Sequence, residues 1–197
     1  PAFHMFRDAV GGSNVAAVGL TALSESLIFY GAESNNAQIA FNQKARQAAA
    51  AASTGTASTT SGTTKPPVVI KQMHNPLNPN GGGFGLHVTR NVLAMSGLRV
   101  FSAPCQDGLA TLSPSISPTT KIVLGDLVAN VVVSAVSAPL HQLYGWSVTT
   151  RVAALASNPT TAVEPFVTAG TKFLKSQYLT PSGSLSSVAG RDMMLRV

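Results

Sequence analysis

Apolar and polar positions divide this chain into a few long hydrophobic stretches separated by polar, small-residue segments. The longest stretch lies in KIVLGDLVANVVVSAVSAPLHQLYGWSVTTR, residues 121–151. From Ile122 to Tyr144 its only polar side chains are Asp126, Asn130, Ser134, Ser137, His141 and Gln142. They form no polar stripe of the kind that a surface helix of a soluble domain needs. At about 1.5 Å per residue the run is long enough to cross a hydrocarbon core of about 30 Å. Gly125, Ala129, Ser134 and Ala138 are the small residues that close helix contact in lipid prefers. Pro139 removes one backbone donor and predicts a bend within about one turn. The pattern predicts a kinked transmembrane helix; the competing reading is a central buried helix of a soluble domain.

Asn14–Ala32 is a second apolar stretch, with small residues four apart at Gly12 and Ala16 and again at Ala22 and Ser26. Glu25 lies in the middle of it, where a carboxylate must face protein or water. The helix is predicted to continue through Gln47 into a polar, basic end. Ala48–Thr64 is low in complexity and predicts a surface loop. The segment Val68–Gly85 ends in a cluster of Asn, Pro and Gly that is turn chemistry. It lacks the Lys-Ser/Thr pair that a phosphate loop requires. Leu86–Leu109 predicts another membrane helix, closed by Asp107 and Gly108. Its Arg90 and Arg99 are nine residues apart and so expected on opposite faces, with Arg90 reaching toward the near interface. Ala110–Thr120 predicts a short uncharged loop and Arg151–Pro159 a connector. Ala162–Tyr178 predicts an amphipathic interfacial helix anchored by Phe166, Phe173 and Leu174. Gly183–Val197 begins a further helix.

Composition strengthens the membrane reading more than hydrophobicity alone does. Charged residues make up 10% of the 197, against about 25% in an ordinary soluble domain. The net charge is +6 with few aromatics, and no basic run interleaves with rings, so no nucleic-acid partner is expected. Lys44, Arg46, Lys65 and Lys71 lie in one long loop, and Arg151, Lys172 and Lys175 follow the central helix. The positive-inside rule places both regions on one face and the uncharged 110–120 loop on the other. Cys105 has no partner for a disulfide or a zinc site, and His4, His74, His87 and His141 lack metal-ligand spacing. No nucleophile motif such as Gly-x-Ser-x-Gly occurs. An enzyme is not expected, nor is a bound metal or cofactor. A start at Pro1 without an initiator Met, and an end in what reads as an opening helix, suggest an excerpt of a longer protein.

The alternation also repeats with a period near one hundred residues. FYGAESNNAQ, 29–38, corresponds to SAPLHQLYGW, 137–146, and TRNVLAMSGLRV, 89–100, to GRDMMLRV, 190–197. The unit is a helix, a long basic loop, a glycine turn and an Arg-led helix. This organisation resembles the mitochondrial carrier family, whose three repeats each hold two transmembrane helices and a short loop helix. Odd-numbered helices in that family end in Pro-x-[Asp/Glu]-x-x-[Lys/Arg], whose charges pair in a gate. Here Pro139 matches the proline, while His141 stands for the acid and Tyr144 for the base. In the first repeat Gly31 replaces the proline, Glu33 keeps the acid and Asn36 replaces the base. Arg90 and Arg191 lead the even-numbered helices.

The resemblance implies an all-α, multi-pass bundle of two-helix repeats with short amphipathic loop helices, repeat one over 1–110 and a truncated repeat two over 121–197. With those substitutions the two repeats are not expected to build the family's charge network. The function implied is therefore a carrier-like integral membrane protein without transport, an accessory subunit of a respiratory or ATP synthase complex in the mitochondrial inner membrane. Its implied partners are membrane lipid, cardiolipin among them, and other subunits of that complex. The alternatives are a solute carrier with an atypical gate and a pigment-associated photosynthetic membrane protein. The second alternative rests on Arg90-Asn91 and Glu33-x-x-Asn36, which are similar to chlorophyll-binding helices but lack their full Glu-x-x-Asn-x-Arg pattern.

Overall fold

The structure, a computed structural model, describes residues 2–54, 83–157 and 164–194. Those residues form helices joined by short turns, with no strand among them: α1 (Ala2–Ala9), α2 (Asn14–Thr54), α3 (Phe84–Ser96), a π-helical turn (Gly97–Phe101), α4 (Ser102–Leu112), α5 (Pro118–Val148), α6 (Thr150–Ser157), α7 (Phe166–Tyr178) and α8 (Ser187–Met194). Their boundaries follow local chemistry. Gly11 and Gly12 take positive φ, 68° and 86°, a conformation that costs other residues energy. They reverse the chain so that α1 packs back on α2. Ser13 then caps α2 by accepting from the Ala16 amide at 3.3 Å. Ser117 does the same for α5, accepting from the Thr120 amide at 3.2 Å, with Pro118 in the first turn.

Several elements differ from the sequence expectation. The alanines from Ala48 onward continue α2 to Thr54, as the helix propensity of alanine favours. The rest of the low-complexity tract lies outside the described residues, as do residues 66–82 of the Pro/Asn/Gly segment. Asp107 and Gly108 do not close a helix; α4 runs on to Leu112. It stops at Ser113, held at φ −144° and ψ 86°, because the following Pro114 disfavours a helical residue before it. The connection to α5 is thus 113–117. The expected connector after Arg151 is helical through Ser157, as α6. α1 has no counterpart among the elements that the sequence pattern predicts. α5 passes through Pro139 without interruption, and the proline leaves the Ala135 carbonyl without its usual amide donor.

Two helical runs are long and apolar enough to cross a membrane, Asn14–Ala51 and Pro118–Ser157. The run 84–112 between them is helical throughout but is not among these, since it carries His87, Arg90, Arg99 and Asp107. Large side chains point outward on both apolar helices, among them Leu23, Leu27, Ile28 and Phe29 on α2 and Val123, Leu127, Val132 and Val136 on α5. Small and polar ones point inward: Ala22 and Ser26 on α2, and Ala129, Ser137 and Ala138 on α5. Only 33% and 28% of the two apolar windows are buried. A core helix of a water-soluble domain would hide its large apolar side chains instead.

The helices meet through close backbone approach. Gly125 lies against Gln106 of α4, where a Cβ would come within 3.0 Å of the Gln106 Cα and amide nitrogen. Beside it, Ser102 and Gln106 donate to the Asp126 carboxylate, Gln106 Nε2 at 3.0 Å. The one acid of the apolar run is thereby satisfied from α4. α7 packs on α5, with Phe173 stacked on Trp146 at 5.3 Å and Arg151 over the Phe166 ring at 5.3 Å.

Candidate functional site

The inward faces of α2, α3 and α5 converge on one polar cluster. Ser26, Tyr30 and Glu33 sit at i, i+4 and i+7 of α2, and His87, Arg90 and Asn91 at i, i+3 and i+4 of α3. His141 and Tyr144 are three apart on α5. Those spacings put each set on one helix face. Gly83 lets the start of α3 abut the end of α5, since a Cβ there would meet Val148 at 2.6 Å and Ser147 at 3.1 Å.

Arg90 is the hub. Its Nη2 donates to Glu33 Oε2 at 2.8 Å, and its Nη1 donates to His141 Nδ1 at 3.3 Å. Its Nε and Nη2 also donate to Asn91 Oδ1, at 3.2 and 3.0 Å. The guanidinium carbon lies 5.3 Å from the centre of the Tyr144 ring, a cation–π contact worth about 0.5–2 kcal/mol according to burial. His87 is fully buried, with Nδ1 at 2.9 Å from Ser26 Oγ and Nε2 at 3.2 Å from Glu33 Oε2. Nε2 also lies 3.2 Å from Arg90 Nη2, so the ring sits between the guanidinium, the carboxylate and the serine hydroxyl. Asn91 Nδ2 donates to the same Ser26 Oγ at 3.3 Å. The rings of Tyr30, His87 and Tyr144 pack edge-on or tilted against one another, with centroids 5.3 to 6.3 Å apart. The cluster carries one positive and one negative charge in contact, so it is close to neutral as a unit.

Each of the residues singled out by sequence has a definite place. The carrier-like pattern leaves Glu33 without a basic partner; the structure supplies one from α3, 57 residues away in the chain. Arg90, expected to reach toward a membrane interface, points inward, its side chain only 13% exposed. His141 and Tyr144 join the same cluster. Gly31 accepts from the Ser34 hydroxyl at 3.1 Å one turn on, while Asn36 is exposed and stands apart. Pro139 lies half-buried one turn before the Leu143–Tyr144 pair. Arg191 does not share the environment of Arg90. Its side chain is 66% exposed and lies 3.7 Å from the neighbouring Asp192 carboxylate. Asp192 itself is buried and accepts from Gln142 Nε2 at 2.7 Å, which ties α8 to α5.

Sequence reasoning names His87, Ser26 and Asn91 for other reasons and passes over Tyr30, and it joins none of them to Arg90 and Glu33. Their signal is present as facial spacing on α2 and α3, but it acquires meaning only once the two helices are set antiparallel and in register. One polar atom remains unmatched at the centre: the Tyr144 hydroxyl is buried with no hydrogen-bond partner among the described residues. No group of His, Cys, Asp and Glu suited to a metal ion occurs among the described residues. Ser26, His87 and Glu33 align as hydroxyl, imidazole and carboxylate, but Ser26 and His87 are fully buried, and the strongest contacts of the cluster join helices to one another. No family description matches this chain, and neither a curated protein nor a solved structure is detectably similar to it.

Proposed function

We propose that this chain is a membrane-embedded helical protein with a structural role, an accessory subunit that presents its surfaces to a larger membrane assembly and does not move solute itself. The observation that carries the proposal is the inverted packing of α2 and α5, with large apolar side chains outward and small or polar ones inward. In water those outward residues would lose about 25 cal/mol for every Å² left wet; in lipid the arrangement costs nothing of the kind. The buried cluster supports the second half of the reading. Arg90 is bonded at once to α2, to its own helix and to α5, which suits a fixed junction between helices better than a gate that must open.

Carrier-like repeats remain the reading of the sequence pattern on which the multi-pass bundle and the mitochondrial inner membrane depend. Trp146 and Phe173 beside Arg151, Lys172 and Lys175 form an aromatic and basic belt, the composition that settles at a membrane–water boundary. Three measurements test the proposal. The full-length protein should stay with the membrane fraction through alkaline carbonate extraction; release into the supernatant would overturn the membrane assignment. Native purification in mild detergent should recover it with other subunits. Saturable solute exchange by liposomes that hold the protein alone would refute the structural role.

A further inference from the structure

A half-open cavity of about 450 Å³ lies between α1, α2, the end of α3 and the π-helical turn, lower on the same helices than the Arg90 cluster, with Arg99 exposed at its mouth and Glu25 half-buried. Glu25 and Arg99 both line it, together with Phe3, Ala94, Met95 and Leu98. These opposite charges face one space, yet no ion pair joins them or binds either to another described residue. The reason is visible on both sides. The guanidinium of Arg99 lies over the Phe3 ring, 4.6 Å from its centre, and Phe3 is brought there by the glycine reversal after α1. Arg99 itself sits in the π-helical turn, a wider turn that occurs often at functional sites.

Glu25 precedes Glu33 by eight residues, so it lies about 12 Å along α2 from the cluster. Its neighbours Leu23, Leu27 and Ile28 point outward as apolar surface. Two charges at that level, each without a counter-ion, call for a compensating group. A simple anion would meet Glu25 and a simple cation would meet Arg99, each with repulsion. A ligand bearing both charges matches both.

We propose that this cavity binds a small zwitterion, with its anionic group on the edge of Arg99 and its ammonium on Glu25. The stacked guanidinium keeps its edge N–H groups available for a carboxylate or phosphate. The short aliphatic link of the ligand lies against Ala94, Met95 and Leu98. The volume falls within the usual range for small-molecule pockets, about 300–1,000 Å³. The same chemistry is offered by a free amino-acid-sized solute and by an ethanolamine phospholipid headgroup, which Leu98, 55% exposed at the rim, would admit from the apolar surface. The inference rests on the membrane-embedded reading for its setting and not for its charges.

The test uses the full chain in nanodiscs of phosphatidylglycerol, which carries no ammonium. One arm titrates O-phosphoethanolamine by calorimetry; the other reads retention of added phosphatidylethanolamine by native mass spectrometry. Saturable one-to-one binding is expected in one arm, and that arm identifies the source. Glu25→Gln and Arg99→Gln should each weaken it at least tenfold, while Lys172→Gln should leave it unchanged. Ala94→Phe fills the cavity without removing a charge and should also abolish binding, with thermal unfolding as the check that it still folds. Binding in neither arm, or binding that survives all three cavity substitutions, overturns the proposal. Flotation with vesicles reads the membrane assignment separately. A chain that fails to float loses that assignment, and the soluble titration still decides the cavity.

Discussion

Glu33 and Arg90 close on one another at 2.8 Å, whereas Glu25 and Arg99, on the same two helical runs, share a cavity without touching. The spacing is nearly matched, eight residues between the acids and nine between the bases, and the helices run in opposite directions. What separates the two levels is the third partner. At the upper level α5 brings His141 and Tyr144 against the guanidinium and leaves it nowhere else to go. At the lower level α1 brings Phe3, which draws Arg99 aside. The backbone differs too. A regular helix would turn Arg99 about 180° from Arg90, which is why the sequence predicts opposite faces. The π-helical turn takes up an extra residue, and both arginines look toward α2. An acid and a base at compatible heights therefore do not define an ion pair; the side chain that packs over the base does.

The contrast is broken most severely at its closed end. Arg90→Leu removes the hub and takes one donor from each of Glu33 and His141. Removing one partner of a fully buried pair costs about 3–5 kcal/mol. Glu33 is 42% exposed in its side chain, so water recovers part of that loss and about 2–3 kcal/mol is expected. Denaturant unfolding in mild detergent checks it, with Glu33→Gln losing less than Arg90→Leu. Equal stability of Arg90→Leu and the parent chain would show that the cluster fastens nothing.

The next effect comes from the seam that places the π-helical turn. Gly125→Leu would push a side chain into the Gln106 backbone, and overpacking of that kind costs about 1–3 kcal/mol. Because α4 continues directly from the turn, its displacement should also re-aim Arg99. A spin label at Cys105 should report a changed distance to one placed on α5. An unchanged distance, with unchanged stability, would mean that α4 is not what fixes the turn.

Tyr144→Phe probes the cluster with the opposite sign. The hydroxyl is buried and unmatched, while the ring carries the contacts to Arg90, His87 and Tyr30. Removing an unsatisfied polar group returns its desolvation penalty, so the variant should be neutral or up to about 1 kcal/mol more stable. A loss of stability would show that the hydroxyl holds a bridging water.

The long helices are legible in the sequence, and the junctions between them are not. The 3.6-residue face of α2, the apolar run of α5 and the amphipathic Phe166–Tyr178 segment are all local patterns. In the alanines after Gln47, low complexity points to a loop while helix propensity points to a helix, and propensity prevails. The segment after Arg151 is too short a run for its Val152–Leu155 spacing to stand out, yet it continues as α6 beside α5. The π-helical turn has no compositional mark. Of the cluster, Glu33, Arg90, His141 and Tyr144 stand out singly, but their union depends on packing between residues 51 to 57 apart. Spacing tests His87 only as a metal ligand, and its use as a bridge between a serine and a carboxylate belongs to three dimensions.

The smallest expected effect is the sharpest test of the comparison. In a double-mutant cycle, Glu33→Gln and Arg90→Gln should couple by about 1 kcal/mol or more, as contacting residues in one network do. Glu25→Gln and Arg99→Gln, measured without added zwitterion, should be additive within about 0.3–0.5 kcal/mol, as independent sites are. Each single change at the lower level should itself be slight, because neither side chain has a hydrogen bond or ion pair to another described residue, and Arg99 loses only its cation–π contact with Phe3. That contact gives the cycle its control: Phe3→Leu should couple to Arg99→Gln and not to Glu25→Gln. Coupling of Glu25 to Arg99 as strong as that of the upper pair would mean that the two charges close on each other in the membrane, and the distinction between a fastened level and an open one would fall.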